Sequence, residues 1–192
     1  MTRIKVELVD VYCTDTEDLI DGDEFYIVGA VGSYSKLGAK FDNLKVRPVL
    51  TKPIKISKDQ QKPFGQGGGI VFDADVPENH TLYISLAGLD EDVSRDWSQY
   101  GPMLTTVGDA ISTGLKVIPA APAVIAGIAL PLAIAGLGVI AALDQDDKLG
   151  ELRRDLPIAV LRNGVDTQYW NFRQDGWWSS WRYTVTYKIH KG

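Results

Sequence analysis

Cysteine is almost absent from this chain. Cys13 stands alone, which excludes an internal disulfide and permits a reducing compartment. Histidine is nearly as scarce. His80 and His190 lie far apart, and no Cys/His pair of the kind zinc requires can be drawn. The opening residues Met1 to Val6 alternate like a strand and lack the apolar core of a signal peptide. The protein is therefore expected in the cytoplasm, or released without a signal peptide. The glycine run 65–69 does not end in Gly-Lys-Ser/Thr, which excludes a phosphate loop. There is no internal repeat and no coiled-coil heptad. Carboxylates are plentiful, but spacing alone selects no acid/base pair, so no catalytic residue is assigned and the chain is read as non-enzymatic. An acidic total, with net charge −5 and no recognised motif, argues against a nucleic-acid partner. Charge itself is missing from one long stretch: residues 117–143 contain no Asp, Glu, Lys or Arg.

What is present fits a globular protein. The 192 residues are 45% hydrophobic and 23% charged, enough for one domain with an insertion or at most two small domains. Alternating or continuous apolar runs predict strands over 3–13, 25–31, 44–50, 54–56, 70–76, 82–86, 152–161 and 183–189. In the first, Ile4, Val6 and Leu8 face one side, followed by Asp10 or Tyr12. In the last, Tyr183, Val185, Tyr187 and Ile189 do the same. Pro53 separates two short strands, and Pro157 marks an edge or a bulge. Residues 57–69 read as a mobile polar loop. Eight short strands with turn signals between them predict a mostly β fold, an antiparallel sandwich.

The neutral stretch differs in kind. It is built of Ala, Ile, Leu, Val and Gly, with Pro119, Pro122 and Pro131. Proline removes a helical donor and clashes one turn back, so one straight helix is not expected. Two helices, about 103–117 and 123–143 with a kink near Pro131, fit better. Small residues such as Ala126, Gly127, Ala133 and Gly136 permit close approach of helices. No polar face exists, so a soluble form must hide this segment by internal packing or oligomerisation. The domain plan is thus a sandwich from 1–92 and 144–192, with an α-helical apolar insertion at 93–143. At about 1.5 Å per residue the insertion is long enough for a hydrocarbon core of about 30 Å. Val124, Ile125, Ile128, Leu130, Leu132 and Ile134 are the candidate membrane-inserting residues.

Charge is unevenly spread. Residues 1–35 are acidic, while Lys36 to Lys62 carries eight cations against Asp42 and Asp59. Carboxylates gather in two places. The first loop holds Asp15, Glu17, Asp18, Asp21 and Asp23. The second holds Asp90 and Asp92 and then, beyond the insertion, Asp144, Asp146 and Asp147. Such clusters repel one another without a cation, and calcium takes six to eight oxygens from loops of this kind. A solvated acidic rim is the simpler alternative. Trp170, Trp177, Trp178 and Trp181, with Tyr169 and Phe172, form an aromatic crowd. It suits a small core closing one end of the sandwich, or an exposed surface at lipid, sugar or a partner.

Several segments, in this order, resemble a C2 domain, the calcium-responsive membrane-binding β-sandwich. Asp23-Glu24-Phe25-Tyr26-Ile27-Val28 stands where that family has Asp-Pro-Tyr-Val. Val71 to Val76 resembles its central strand. Leu82 to Leu86 followed by Asp90-Glu91-Asp92 resembles the strand ending in Asp-x-Asp, and Asp146-Asp147-Lys148-Leu149-Gly150-Glu151 is similar to Asp-Asp-x-Ile-Gly-Glu. The strand order resembles the circularly permuted variant, here with the insertion in its third loop. The resemblance implies a calcium site of Asp23, Asp90, Asp92 and Asp146, completed by Asp15, Glu17 or Asp18. It also implies that Lys45, Lys52, Lys55 and Lys58 bind anionic headgroups. The function expected is calcium-assisted docking to an anionic phospholipid membrane, with the apolar insertion anchoring the chain or, in a homo-oligomer, forming a pore. The alternative is a soluble interaction module whose insertion docks onto a partner protein.

Overall fold

The computed structural model describes residues 1–16, 22–35, 45–65, 69–91, 148–175 and 180–192. Ten strands form two antiparallel sheets. They are β1 (Thr2–Asp15), β2 (Asp23–Ser35), β3 (Lys45–Leu50), β4 (Ile54–Ile56), β5 (Gln60–Pro63), β6 (Ile70–Val76), β7 (His80–Asp90), β8 (Lys148–Pro157), β9 (Gly164–Gln174) and β10 (Trp181–Lys191). Sheet A runs β5-β1-β10-β9, with β6 also on β1. Sheet B runs β3-β2-β7-β8, with β4 also on β2.

The ten strands fill eight positions. β3 and β4 lie end to end along β2, β3 beside Val28–Ser33 and β4 beside Asp23–Phe25. Between them Pro53 lacks a donor, and Thr51 bridges the gap, its hydroxyl accepting the Ile27 amide at 2.8 Å. Likewise β5 and β6 share the flank of β1. Two sheets of four positions, face to face, make an antiparallel β-sandwich. Its centre is dry: Ile4, Val6, Leu8, Tyr183, Val185 and Ile189 of sheet A meet Phe25, Ile27, Val31, Ile84, Leu86 and Leu152 of sheet B.

Four expectations need correction. The stretch 57–69 is not all loop: it contains β5, whose Gln-Gln-Lys-Pro sequence carries no apolar signal. β9 was not expected either. Its outward positions are polar, and only Trp170 and Phe172 pack on the core. The eighth segment ends as a strand at Pro157, and Ile158–Val160 is a single 3-10 turn. In β1 neither Asp10 nor Tyr12 continues the inward face. The pairing with β10 shifts register between Leu8 and Asp10, an extra residue at Val9, so Val11 and Cys13 point inward and are fully buried.

The two sheets differ on their outer faces. β10 alternates buried and half-exposed residues throughout, as a sheet with one face in water should. In β7 every residue is buried, and in β2 all but Glu24. The expected helices and the 93–143 insertion lie outside the described residues. Among those described, no helix is long and apolar enough to cross a membrane.

Candidate functional site

One end of the sandwich collects three of the carboxylates singled out above. Register fixes this: Asp15 pairs with Arg182, Asp23 with Ile56, Phe25 with Asp90, and Leu89 with Lys148. The loop leaving β1, the turn after β4, the connection after β7 and the β9–β10 turn therefore all emerge together. Three predicted metal ligands, Asp15, Asp23 and Asp90, sit at these strand ends. Glu17, Asp18, Asp92 and Asp146 lie outside the described residues.

Beneath this end is an aromatic floor. Tyr183 stacks on Phe25 at 5.3 Å and on Phe172 at 5.7 Å between ring centroids. Gly88 and Gly150 face each other across β7 and β8, which clears the room these rings occupy. A methyl carbon at Gly150 would lie 2.6 Å from the Phe172 ring, closer than real contacts allow. Trp181 is buried, and its indole N–H donates to the Leu149 carbonyl at 2.9 Å. Trp170 is also buried, while Tyr169 is 61% exposed. These residues suit the small closing core rather than a wholly exposed aromatic surface. Trp177 and Trp178 lie outside the described residues.

Asp15, Asp23 and Asp90 each already have an internal partner. Asp23 is fully buried and accepts a hydrogen bond from the Tyr183 hydroxyl. Burial and that bond push the Tyr183 phenol far above its ordinary range. Burial also raises the neighbouring Cys13 thiol to about 11, so it is no reactive thiolate. Asp90 accepts the Glu24 amide at 2.7 Å. Asp15 accepts the Lys58 ammonium on one oxygen and the Ser180 hydroxyl on the other, both at 3.2 Å. The Lys58 hydrogen bond holds Asp15 below the usual carboxylate range.

A calcium ion needs several free oxygens converging on one point. Among the described residues no three His, Cys, Asp or Glu side chains are placed to hold a metal. Lys58 sets a positive charge against Asp15, and the Asp23 carboxylate is turned to a phenol. Asp15, Asp23 and Asp90 therefore do not compose a calcium site by themselves. The partners responsible, Lys58, Ser180 and Tyr183, were not among the expected ligands. Tyr183 was readable only as an inward residue of its strand, and the Lys58 contact depends on a turn that sequence does not locate.

The four headgroup lysines are exposed and spread along one edge rather than gathered at a point. Lys45 opens β3, and its ammonium donates to the Asp75 carbonyl at 2.7 Å. Lys52 lies in the break between β3 and β4. Lys55 in β4 approaches Glu24 at 3.7 Å. Lys58, in the turn after β4, is at the loop end. Arg47 is exposed between the first two. The six predicted membrane-inserting residues, Val124, Ile125, Ile128, Leu130, Leu132 and Ile134, lie outside the described residues.

No family model and no curated protein matches the sequence. Among solved structures, the chain is similar to a C2 domain of a plant extended synaptotagmin 1. The TM-score is 0.39 at 10% identity, over 98% of this chain and 92% of that one. It is also similar to part of human group IVD cytosolic phospholipase A2, solved in complex with methyl gamma-linolenyl fluorophosphonate. There the TM-score is 0.38 at 10% identity, over 99% of this chain but only 17% of the phospholipase.

Proposed function

We propose that this sandwich is a peripheral membrane-binding module that docks on anionic phospholipid through the basic edge of sheet B. One observation carries the proposal: Lys45, Arg47, Lys52, Lys55 and Lys58 are all exposed along β3, β4 and the turn that follows. Each cation held near an anionic surface contributes about 1 kcal/mol, within a screening length of about 8–10 Å. Lysines also guard an edge strand against unwanted pairing, a role that needs no lipid. Salt-dependent vesicle binding separates the two.

In this proposal the neutral stretch 117–143 supplies a second, apolar contact. With the basic edge at the surface, the segment enters hydrocarbon and anchors the chain, or lines a pore after oligomerisation. Calcium assistance belongs to the same proposal and is tested separately, since the described carboxylates do not make a site alone.

The test is flotation with vesicles of phosphatidylcholine, with and without phosphatidylserine, at low and high salt, with calcium or with chelator. Binding should require the anionic lipid and weaken with salt. Changing Lys52, Lys55 and Lys58 to Gln should lower it and flatten the salt dependence. Equal flotation on neutral vesicles, or an unchanged triple variant, refutes the headgroup contact. Identical results in calcium and chelator, with no thermal shift, remove calcium. Dye release that survives Ile128→Asp with Leu132→Asp removes insertion, because each charge costs about 2.5–3.5 kcal/mol in hydrocarbon on insertion scales.

A further inference from the structure

The edge of a sheet presents unpaired N–H and C=O groups, and proteins guard it with charge, proline or brevity. Most flanks of this sandwich are guarded so. β3 carries Lys45, Arg47 and Pro48, and β8 carries Arg153, Arg154 and Pro157. β4, β5 and β6 are no longer than 7 residues. β9 is different. It runs for 11 residues, and its middle, Thr-Gln-Tyr-Trp-Asn-Phe from 167 to 172, has neither charge nor proline. Among the described residues it pairs with β10 alone. Register shows which of its backbone groups are open. Gly192, just past β10, exchanges both backbone bonds with Arg3, at 3.0 Å each. Backbone groups along a strand point alternately to its two sides. The even-numbered residues of β10 therefore bond to β1 and the odd-numbered ones to β9. Those odd-numbered residues pair with the even-numbered residues of β9, from Gly164 to Gln174 in a register without a shift. Val165, Thr167, Tyr169, Asn171 and Arg173 are left to turn their N–H and C=O groups to the open edge. All five are exposed.

We infer that this edge pairs with the same edge of a second copy of the chain, in an antiparallel two-fold dimer centred on Tyr169. A two-fold interface sets one patch against itself. The five open residues are symmetric about Tyr169, so a single register pairs them all. Val165 then faces the partner's Arg173, Thr167 the partner's Asn171, and Tyr169 the partner's Tyr169. No like charges stand opposite each other, the arrangement that would oppose pairing. The Thr–Asn pair already has a counterpart within the chain: on the same face, Thr184 donates to Oδ1 of Asn171 at 2.8 Å. The central tyrosine, 61% exposed in the single chain, gains a cross-strand aromatic pair. Sheet A continues through β9 into the sheet of the second copy. β9 lies beside β8 on this side of the sandwich, and β3 beside β6 on the other. The lysine edge therefore stays open, and the dimer and the headgroup proposal stand or fall separately.

The test uses the full chain without lipid. Sedimentation should show a particle of twice the 21.1 kDa chain mass. Thr167→Lys with Asn171→Lys sets lysines opposite one another across the edge, so that variant should sediment as a monomer with the Tm of the parent chain at low concentration. Single cysteines then report the register, with the wild-type chain, whose Cys13 is buried, as background. Tyr169→Cys meets its own copy at a Cα separation of about 5.5 Å, within the span of a disulfide. Val165→Cys is as exposed, at 60% against 61% for Tyr169. Its copy, however, lies opposite position 173, about 26 Å along the strand at about 3.3 Å per residue. Mild oxidation should therefore link Tyr169→Cys chains at least about 10-fold faster than Val165→Cys chains. A monomer at every soluble concentration overturns the inference. So does a dimer that survives the double lysine variant, or one in which the two cysteines link equally fast.

Discussion

Removing one hydroxyl, by Tyr183→Phe, isolates the polar contact beneath the loop end. The ring keeps its stacking on Phe25 and Phe172, so packing is nearly unchanged. What is lost is the hydrogen bond to Asp23, a residue that is fully buried. A hydrogen bond to a charged group is worth about 1.5–3 kcal/mol. For a chain of this size that is a fall in Tm of about 3–12 °C, at about 2–4 °C per kcal/mol. Alkaline pH gives an independent readout. The phenol's folded pKa is raised above its ordinary value of 10.0. Above that pH the unfolded chain releases a proton that the folded chain keeps, so stability present below pH 10 is lost as pH rises. Each such group steepens the loss by about 1.4 kcal/mol per pH unit. The variant should therefore be less stable at pH 7 yet show a flatter alkaline slope. Urea unfolding at pH 7 and from pH 9.5 to 11, with a cycle against Asp23→Asn, measures both. A loss below about 0.5 kcal/mol at pH 7 with an unchanged alkaline slope refutes the coupling.

Other perturbations test neighbouring contacts. Gly150→Ala drives a methyl carbon into the Phe172 ring and should destabilise by about 1–3 kcal/mol, largely restored by Phe172→Leu; a neutral single variant would show that β8 yields freely. Burial, and then the Lys45 charge, lowers the His80 pKa below its ordinary 6.5. The unfolded chain binds that proton first, so stability should fall as pH drops from about 6.5 through the folded pKa; His80→Gln should flatten urea midpoints between pH 7.5 and 5. Asp15 is 42% exposed and its pKa is depressed, so its contribution is small and is lost only as pH falls through that lowered value. Asp15→Asn should cost less than about 1 kcal/mol while raising flotation on anionic vesicles, because it releases Lys58; weaker flotation would contradict this.

Much of the sandwich was legible because its strands obey simple periods. The inward residues of β10 alternate from Tyr183 to Ile189, and β2 is apolar from Phe25 to Val31. β5 was hidden because Gln60–Pro63 buries almost nothing and its one strand partner among the described residues is β1. β9 was hidden because it is an edge strand with Thr167, Tyr169 and Asn171 facing water. The shift at Val9 broke the period within β1, and no local signal reports where a bulge falls. At the candidate site, the gathering of Asp15, Asp23 and Asp90 follows from strand order. Their partners do not. Lys58 is 43 positions from Asp15 in sequence, and Tyr183 is 160 from Asp23. Those pairings arise from turns and register, which periodicity does not encode.

The lysine edge also sets how binding divides among its members. A lysine already paired with an exposed carboxylate gives up about 0–1 kcal/mol when it turns to a lipid phosphate. The surface returns about 1 kcal/mol. For Lys55, 3.7 Å from Glu24, and Lys58, 3.2 Å from Asp15, the exchange nearly cancels. Lys52 is exposed and forms no ion pair among the described residues, so nothing offsets its gain. Lys52→Gln alone should therefore weaken vesicle binding more than Lys55→Gln or Lys58→Gln. Combining Lys58→Gln with Asp15→Asn should return flotation close to that of the parent, since the two charges cancel in the folded chain. Equal losses from all three single lysine substitutions would mean that the pairs dissolve at the surface, and that total charge alone governs docking.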